Sequence, residues 1–289
     1  MDSQSQSSSS SFFGQAQGRG SGIKDFLNSS SLIARFSFLL VVIFIFIILL
    51  RVGLSLFSSF LNWGRNSPHI IDGMIDGKQM LIVPQDPTAT GAVTIKRSNN
   101  GPTGIEFTWS VWVYINDLEY LSDQYRHIFH KGNNTFDETT GLNQPNNSPG
   151  LYISPSTNEL TVIMNTFNVI NEQIVIPNIP LNKWMNVIIR CRNHHLDVYI
   201  NGTIAKSIQL SGVPKQNYGN VYIAANGGFS GYVSNLWYYN YSLGISGIQD
   251  IVKRGPNLKL AKQGGMSIVN PDYLSTRWFF TGIQDQFNP

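Results

Sequence analysis

The stretch Phe36 to Leu50 reads FSFLLVVIFIFIILL, fifteen residues without a charge or a strong hydrogen-bonding side chain apart from one serine. No soluble surface accommodates such a run. An amphipathic helix would show a polar face, and this one has none. Alone it is shorter than the roughly 20 residues that span a bilayer as a helix. Extended to residues 32–57, with Phe36, Leu40, Ile45 and Leu50 along it, it is long enough to be a transmembrane helix in contact with lipid. Arg35 and Arg51 then lie near the ends of the apolar run, where long basic side chains reach toward headgroups. Trp63 follows at interfacial depth. The run lies about 35 residues into the chain and no clean small-residue cleavage site follows it, so a retained signal-anchor fits better than a cleaved leader. The chain is expected to be a single-pass membrane protein. Arg19, Lys24 and Arg35 precede the span, and Arg51 and Arg65 follow it, which leaves the side carrying the domain open. The sequons at Asn28, Asn133, Asn146, Asn201 and Asn240 do not decide it either, because a chain this rich in Asn, Ser and Thr produces several by chance.

The rest divides by composition. Residues 1–31 are Ser-, Gln- and Gly-rich without apolar periodicity and read as a disordered tail. Residues 58–100 form a connector with two Asp-Gly turns, at Asp72-Gly73 and Asp76-Gly77, and short strands at Leu81–Val83 and Val93–Ile95. Residues 101–256 read as a β domain. Phe107, Trp109, Val111, Val113 and Ile115 alternate on one face of a strand. Further strands are expected at 126–131, 150–154, 160–167, 172–176, 184–192, 196–200, 203–209, 220–224 and 231–239. Asn201-Gly202, between two alternating runs, has the signature of a type I′ hairpin turn. Only Ile245–Arg254 reads as a helix, with Ile245, Ile248, Ile251 and Val252 on one side and Gly255-Pro256 stopping it. Residues 257–289 form a C-terminal extension, in which Trp278 to Phe280 are expected to pack back on the domain. The fold class is therefore all-β, a two-sheet antiparallel sandwich with one short C-terminal helix and one N-terminal transmembrane helix.

Several chemistries are excluded or unsupported. The net charge of +3 and the scattered basic residues argue against nucleic acid as a partner. The one cysteine, Cys191, rules out an internal disulfide and a Cys-based zinc site, and fits folding in a reducing compartment. Its alternation with Val187 and Ile189 makes it a core thiol. His127 and His130, at i and i+3 of a strand, should face opposite sides and share no metal. Asp117 and Glu119 end a strand in a loop rather than flanking a glycosidic bond, and no catalytic residue is assigned.

The run Leu181-Asn-Lys-Trp184-Met-Asn-Val187-Ile-Ile189-Arg-Cys191, followed by Leu196-Asp-Val-Tyr199-Ile-Asn201-Gly202, resembles the core of laminin-G-like domains in the concanavalin A-like lectin/glucanase superfamily. So do the opening Phe107-Thr-Trp-Ser-Val-Trp112-Val-Tyr and the later Gly227-Gly-Phe229-Ser-Gly231-Tyr-Val-Ser-Asn-Leu-Trp237-Tyr-Tyr, with a helix near Ile248. The resemblance covers roughly 105–255 and implies a jelly roll. Glucanases of this superfamily place paired acids on one strand, and no strand here carries such a pair. A non-enzymatic binding or structural module for protein or glycan contacts is therefore expected, with a glycan-active hydrolase as the alternative. For glycan or partner contact, Tyr152, Tyr218, Tyr222, Tyr232, Tyr238 and Tyr239 are the candidates. Some laminin-G-like domains bind Ca²⁺ through loop oxygens, which makes Asp123, Asn133, Asp137 and Glu138 candidate ligands; no other cofactor is implied. The layout of tail, span, connector and jelly roll is also similar to membrane-anchored proteins of large DNA viruses, which would place the chain in a virion internal membrane or a host membrane.

Overall fold

A computed structural model describes residues 32–61, 65, 67–98, 100–101, 104–261 and 267–268. The tail before residue 32, Trp63, and Trp278 to Phe280 lie outside the described residues. The chain forms two compact units, Met1–Trp63 and Gly64–Pro289.

The first unit contains helix α1 (Leu32–Leu61). Within its segment Arg35–Ser59, an 18-residue window reaches a mean hydropathy of 3.0 with none of it buried. At 1.5 Å per residue, 25 residues rise about 38 Å, more than the ~30 Å of a bilayer's hydrocarbon core. Phe36, Leu40, Ile45 and Leu50 are all exposed. The helix therefore has the length and composition of a membrane anchor or of a signal sequence.

The second unit is an antiparallel β-sandwich. One sheet has the order β1 (His69–Asp76), β13 (Gly231–Tyr239), β4 (Gly104–Ile115), β9 (Trp184–Arg192), β10 (His195–Ile200) and β11 (Thr203–Gln209), with the two-residue β3 (Asn100–Gly101) paired to the start of β4. The other has the order β14 (Ser267–Ile268), β2 (Leu81–Val83), β12 (Asn220–Ile223), β5 (Arg126–Gly132), β6 (Gly150–Ile153), β7 (Glu159–Met164) and β8 (Glu172–Pro177). The connector is thus part of the sandwich, since β1 and β2 contribute one strand to each sheet. Asp72-Gly73 is not a turn. Gly73, at φ +116°, sits at a bulge within β1, where the register to β13 shifts between Ile71 and Met74. Val93–Ile95 is not a strand, because the Gln85 side chain satisfies its backbone. The Gln85 amide donates to the Val93 carbonyl at 2.9 Å and accepts from the Ile95 amide at 2.9 Å.

Period-two alternation builds the core. Phe107, Trp109, Val111, Val113 and Ile115 of β4 meet Phe129, Leu151 and Val162 of the facing sheet, and Cys191 is buried among them. The Asn201-Gly202 turn has φ of +49° and +80°, as a type I′ hairpin requires. Helix α2 (Ile245–Arg254) covers the outer face of the first sheet, burying Ile248 and Ile251 against Ile188, Tyr199, Tyr239 and Leu243. Those two isoleucines contribute about 3–6 kcal/mol by the transfer energy of a buried aliphatic side chain. Ile245 points into solvent, so two residues, not four, carry the contact. The lead-in to α2 is tied down by polar groups. Thr108 Oγ1 donates to the Tyr241 carbonyl and accepts the Leu243 amide, each at 3.0 Å. Arg190 donates to the Leu243 carbonyl at 3.0 Å and pairs with Asp197 at 2.8 Å.

The outer face of the second sheet is covered too, by the segment between β5 and β6. Leu142 and Tyr125 pack there on Tyr152 and Ile163.

Candidate functional site

Two of the described residues' cavities stand out. The larger, about 330 Å³, lies on the outer face of the first sheet between His69, Trp112, Trp237, Tyr239 and Arg254. Its groups are held by ring stacking and one side-chain hydrogen bond, while His69 Nε2 is buried without a hydrogen-bond partner among the described residues. His69 stacks on Trp237 at 3.9 Å, Trp237 stacks on Tyr239, and Asn257 donates to Asp72 at 3.0 Å.

The other, about 260 Å³, opens between the two sheets. Its floor is apolar: Phe107 and Trp109 from β4, Tyr238 from β13 and Met164 from the end of β7. Two irregular segments wall it, one carrying Lys96 and Arg97 and the other running from Val213 to Tyr218. The second wall is stitched in place. The Phe167 amide donates to the Val213 carbonyl at 3.1 Å, and the Lys215 amide to the Asn165 carbonyl at 2.8 Å. The Gln216 side chain donates to Ser98 on the opposite wall. At the mouth Tyr218 is 93% exposed and Phe167 69% exposed, with the Lys215 ammonium 5.4 Å from the Phe167 ring centroid.

Among the described residues four cations line this cleft, Lys96, Arg97, Lys131 and Lys215, and no Asp or Glu does. Lys131, at the end of β5, is buried. Its ammonium donates to the Gly219 carbonyl at 2.7 Å and the Asn217 carbonyl at 2.9 Å, and has no carboxylate partner among the described residues. Carbonyl dipoles ease the cost of burying this charge but do not neutralise it. Burial accordingly pulls its pKa down to about 8. The contact depends on glycine at 219, where a Cβ would come within 2.0 Å of the Gly132 carbonyl.

Of the six candidate tyrosines, only Tyr218 and Tyr238 belong to the cleft, one at its mouth and one in its floor. Tyr232 lies half-exposed beside Tyr114, outside the cleft. Tyr152, Tyr222 and Tyr239 are largely buried, and of these three only Tyr239 borders a cavity, the one on the outer face of the first sheet. Tyr152 donates to Asn147 at 2.6 Å beneath the covering segment, Tyr222 stacks on His130 at 5.0 Å, and Tyr239 lies under α2. These rings lie on outer faces of the sheets that other segments cover.

The residues considered for Ca²⁺ are spread between local hydrogen bonds and solvent, and Asn133 Oδ1 is buried without a hydrogen-bond partner among the described residues. Asp137 accepts hydrogen bonds from the amides and hydroxyls of Thr139 and Thr140, which hold its pKa down to about 2. Asn133 donates to the Gln144 carbonyl, while Asp123 and Glu138 point into solvent. Among the described residues no three His, Cys, Asp or Glu side chains could hold a metal ion. Asp117 likewise closes a turn, accepting the amides of Glu119 and Tyr120 at 3.1 Å.

His127 and His130 share a face, against expectation, because a bulge between His127 and Phe129 breaks the alternation. Their hydrogen bonds fix both tautomers. The Ala225 amide donates to His127 Nδ1 at 2.9 Å, so His127 Nε2 carries the proton and donates to His130 Nδ1 at 2.6 Å. His130 Nε2 then donates to the Asn133 carbonyl at 2.8 Å. Both rings are neutral. Burial pulls the His130 pKa down to about 4, and burial together with the neighbouring His130 lowers the His127 pKa well below the ordinary imidazole value.

Comparison with known proteins bears on this fold. Residues 87–249 match the family model described as the concanavalin A-like lectin/glucanases superfamily. Among solved structures, the botulinum neurotoxin serotype G binding domain matches with a TM-score of 0.44 and 11% identity over 65% of this chain and 50% of that one. The receptor binding domain of botulinum neurotoxin D matches with a TM-score of 0.43 and 10% identity over 66% and 48%. The chain thus spans about half the length of the solved structures it matches. No curated protein matches it. With the family model covering more than half of its residues, on a sandwich whose strands follow the expected motifs, the chain belongs to the concanavalin A-like lectin/glucanase superfamily.

Proposed function

We propose that the protein is a membrane-anchored, non-enzymatic binding module, which uses the cleft between its sheets to engage a protein or glycan partner. The observation that carries the reading is the cleft itself: four cations and two exposed rings at an opening into the core, with no carboxylate on its walls. A glycosidase needs an acid and a second carboxylate across the scissile bond. A binding site needs an apolar surface with a few convergent polar groups, and the cleft has that composition. Helix α1 supports a retained anchor, which would hold this opening near a bilayer. The likeness of layout to anchored proteins of large DNA viruses extends the reading to a virion membrane, and abundance of the chain in the membrane fraction of purified particles tests that extension.

The central test is saturable binding of the full chain, in phosphatidylcholine nanodiscs, to glycan and protein arrays. Binding that Phe167→Ala and Tyr218→Ala weaken together supports the module. Turnover of a glycan, lost in Asp117→Asn or Glu119→Gln, would favour the hydrolase instead.

A further inference from the structure

We propose that the interior of the cleft takes a small amphiphilic anion, its carboxylate or sulfate head between Arg97, Lys131 and Lys215 and its acyl or aryl body against Trp109, Met164 and Tyr238. The proposal deepens the reading of the same cleft and rests on that cleft being open to ligand.

Three observations converge on this chemistry. First, the charge is one-sided. Lys131 is buried with carbonyl partners only, and the flanking Lys96, Arg97 and Lys215 form no ion pair with a described carboxylate. A buried cation without a counter-charge is costly, and an anion entering the cleft supplies that charge where the effective dielectric is low. Burial's downward pull on the Lys131 pKa agrees with a site short of negative charge. Second, the floor is apolar. An inorganic anion would leave the apolar floor of Phe107, Trp109 and Tyr238 without contacts, and a neutral apolar molecule would leave the cations unanswered; an amphiphile satisfies both. Third, the volume of about 260 Å³ falls just below the 300–1,000 Å³ common for small-molecule sites, so a single ring or short chain fits. The rim groups differ in role. Arg97 offers a planar fork of donors suited to a carboxylate, whereas Lys131 and Lys215 act as point charges.

The test is calorimetric titration of the full chain in phosphatidylcholine nanodiscs with octanoate, octanamide and inorganic sulfate. Octanoate is expected to bind one to one, with octanamide and sulfate each at least tenfold weaker. The double variant Arg97→Gln/Lys215→Gln changes only side chains at the rim, and should weaken octanoate at least fivefold while leaving octanamide unchanged. Equal binding of octanoate and octanamide, or unchanged octanoate affinity in the double variant, overturns the proposal. A second arm asks where the anion comes from. Decanoate doped into the nanodisc should compete with added octanoate if the bilayer supplies the ligand, and should leave octanoate binding unchanged if the ligand is free in water. No saturable binding in either arm overturns the proposal. If array binding persists in that case, the amphiphile assignment alone fails; if it is also absent, the reading of the cleft as a binding site fails with it.

Discussion

Lys131 gives the sharpest test of how the cleft is built. Its ammonium is buried against the Gly219 and Asn217 carbonyls, and its pKa lies at about 8 instead of 10.5. In the unfolded chain it titrates near the ordinary value, so between pH 8 and 10.5 the unfolded state binds more protons than the folded one. Stability attached to this group is therefore fully present above pH 10.5 and lost as pH falls through 8. Integrating that linkage gives about 1.3 kcal/mol of added stability on going from pH 7 to pH 9, and about 3 kcal/mol over the whole interval. Lys131→Met removes the titration while keeping most of the side chain's volume. Other groups titrate in this range as well. Burial raises the Cys191 thiol to about 12, and burial also raises the hydroxyls of Tyr238 and Tyr239. These work in the opposite direction but are common to both proteins and cancel in the difference. The measurement is urea unfolding followed by tryptophan fluorescence, on wild type and Lys131→Met, at pH 7, 8 and 9. Wild type should gain about 1.3 kcal/mol relative to the variant between the end points. Parallel pH profiles would refute the claim that Lys131 is a buried charge without a counter-charge.

Other perturbations follow from the same geometry. The His130 pKa lies at about 4, below the ordinary 6.5, so its contribution is present above pH 6.5 and lost as pH falls toward 4. Unfolding at pH 4.5 should cost about 2.5 kcal/mol less than at pH 7 on this account, and His130→Gln should flatten that dependence. Asp197→Ala strands the Arg190 guanidinium, which would keep only its bond to the Leu243 carbonyl, and should destabilise by about 3–5 kcal/mol in the same assay. Gly231→Ala places a Cβ 1.9 Å from the Tyr114 carbonyl at φ +153°, so the chain should lose its cooperative unfolding transition; a variant of wild-type stability would show that β13 and β4 do not pack as described. Ile45→Arg puts a charge at the middle of α1, at a cost of about 2.5–3.5 kcal/mol for insertion, and should move the chain from the carbonate-resistant membrane fraction to the soluble one.

Much of the fold is legible in the residues because it rests on short-range rules. Alternation in Phe107–Ile115 marks the core face of β4, Asn201-Gly202 marks a hairpin, and Gly255 marks the end of α2. Those rules fail where a neighbour in space overrides them. Alternation separates His127 from His130, but one bulged residue reunites them. It also turns Tyr152 and Tyr239 outward, yet says nothing of the covering segment and helix that bury them. The cleft is illegible for a different reason. Its cations come from positions 96, 97, 131 and 215, and no local window gathers them. One signal was present: Lys131 falls in a strand that also carries Ile128 and Phe129, a place where a charge requires a partner.

The strand order also governs when this domain can be completed during synthesis. β13 lies between β1 and β4, and β12 between β2 and β5. The first strands made, ending at Asp76 and Val83, therefore have no neighbours in their own sheets until residues 220–239 have left the ribosome. Both sheets close through strands that arrive late, from the outer edge inward, and the pairing spans most of the domain, the kind of non-local contact that slows folding. A nascent chain stalled before Gly231 would hold β1 and β4 as open edges, so chaperone capture should be heaviest on chains of that length and fall away once β13 is released.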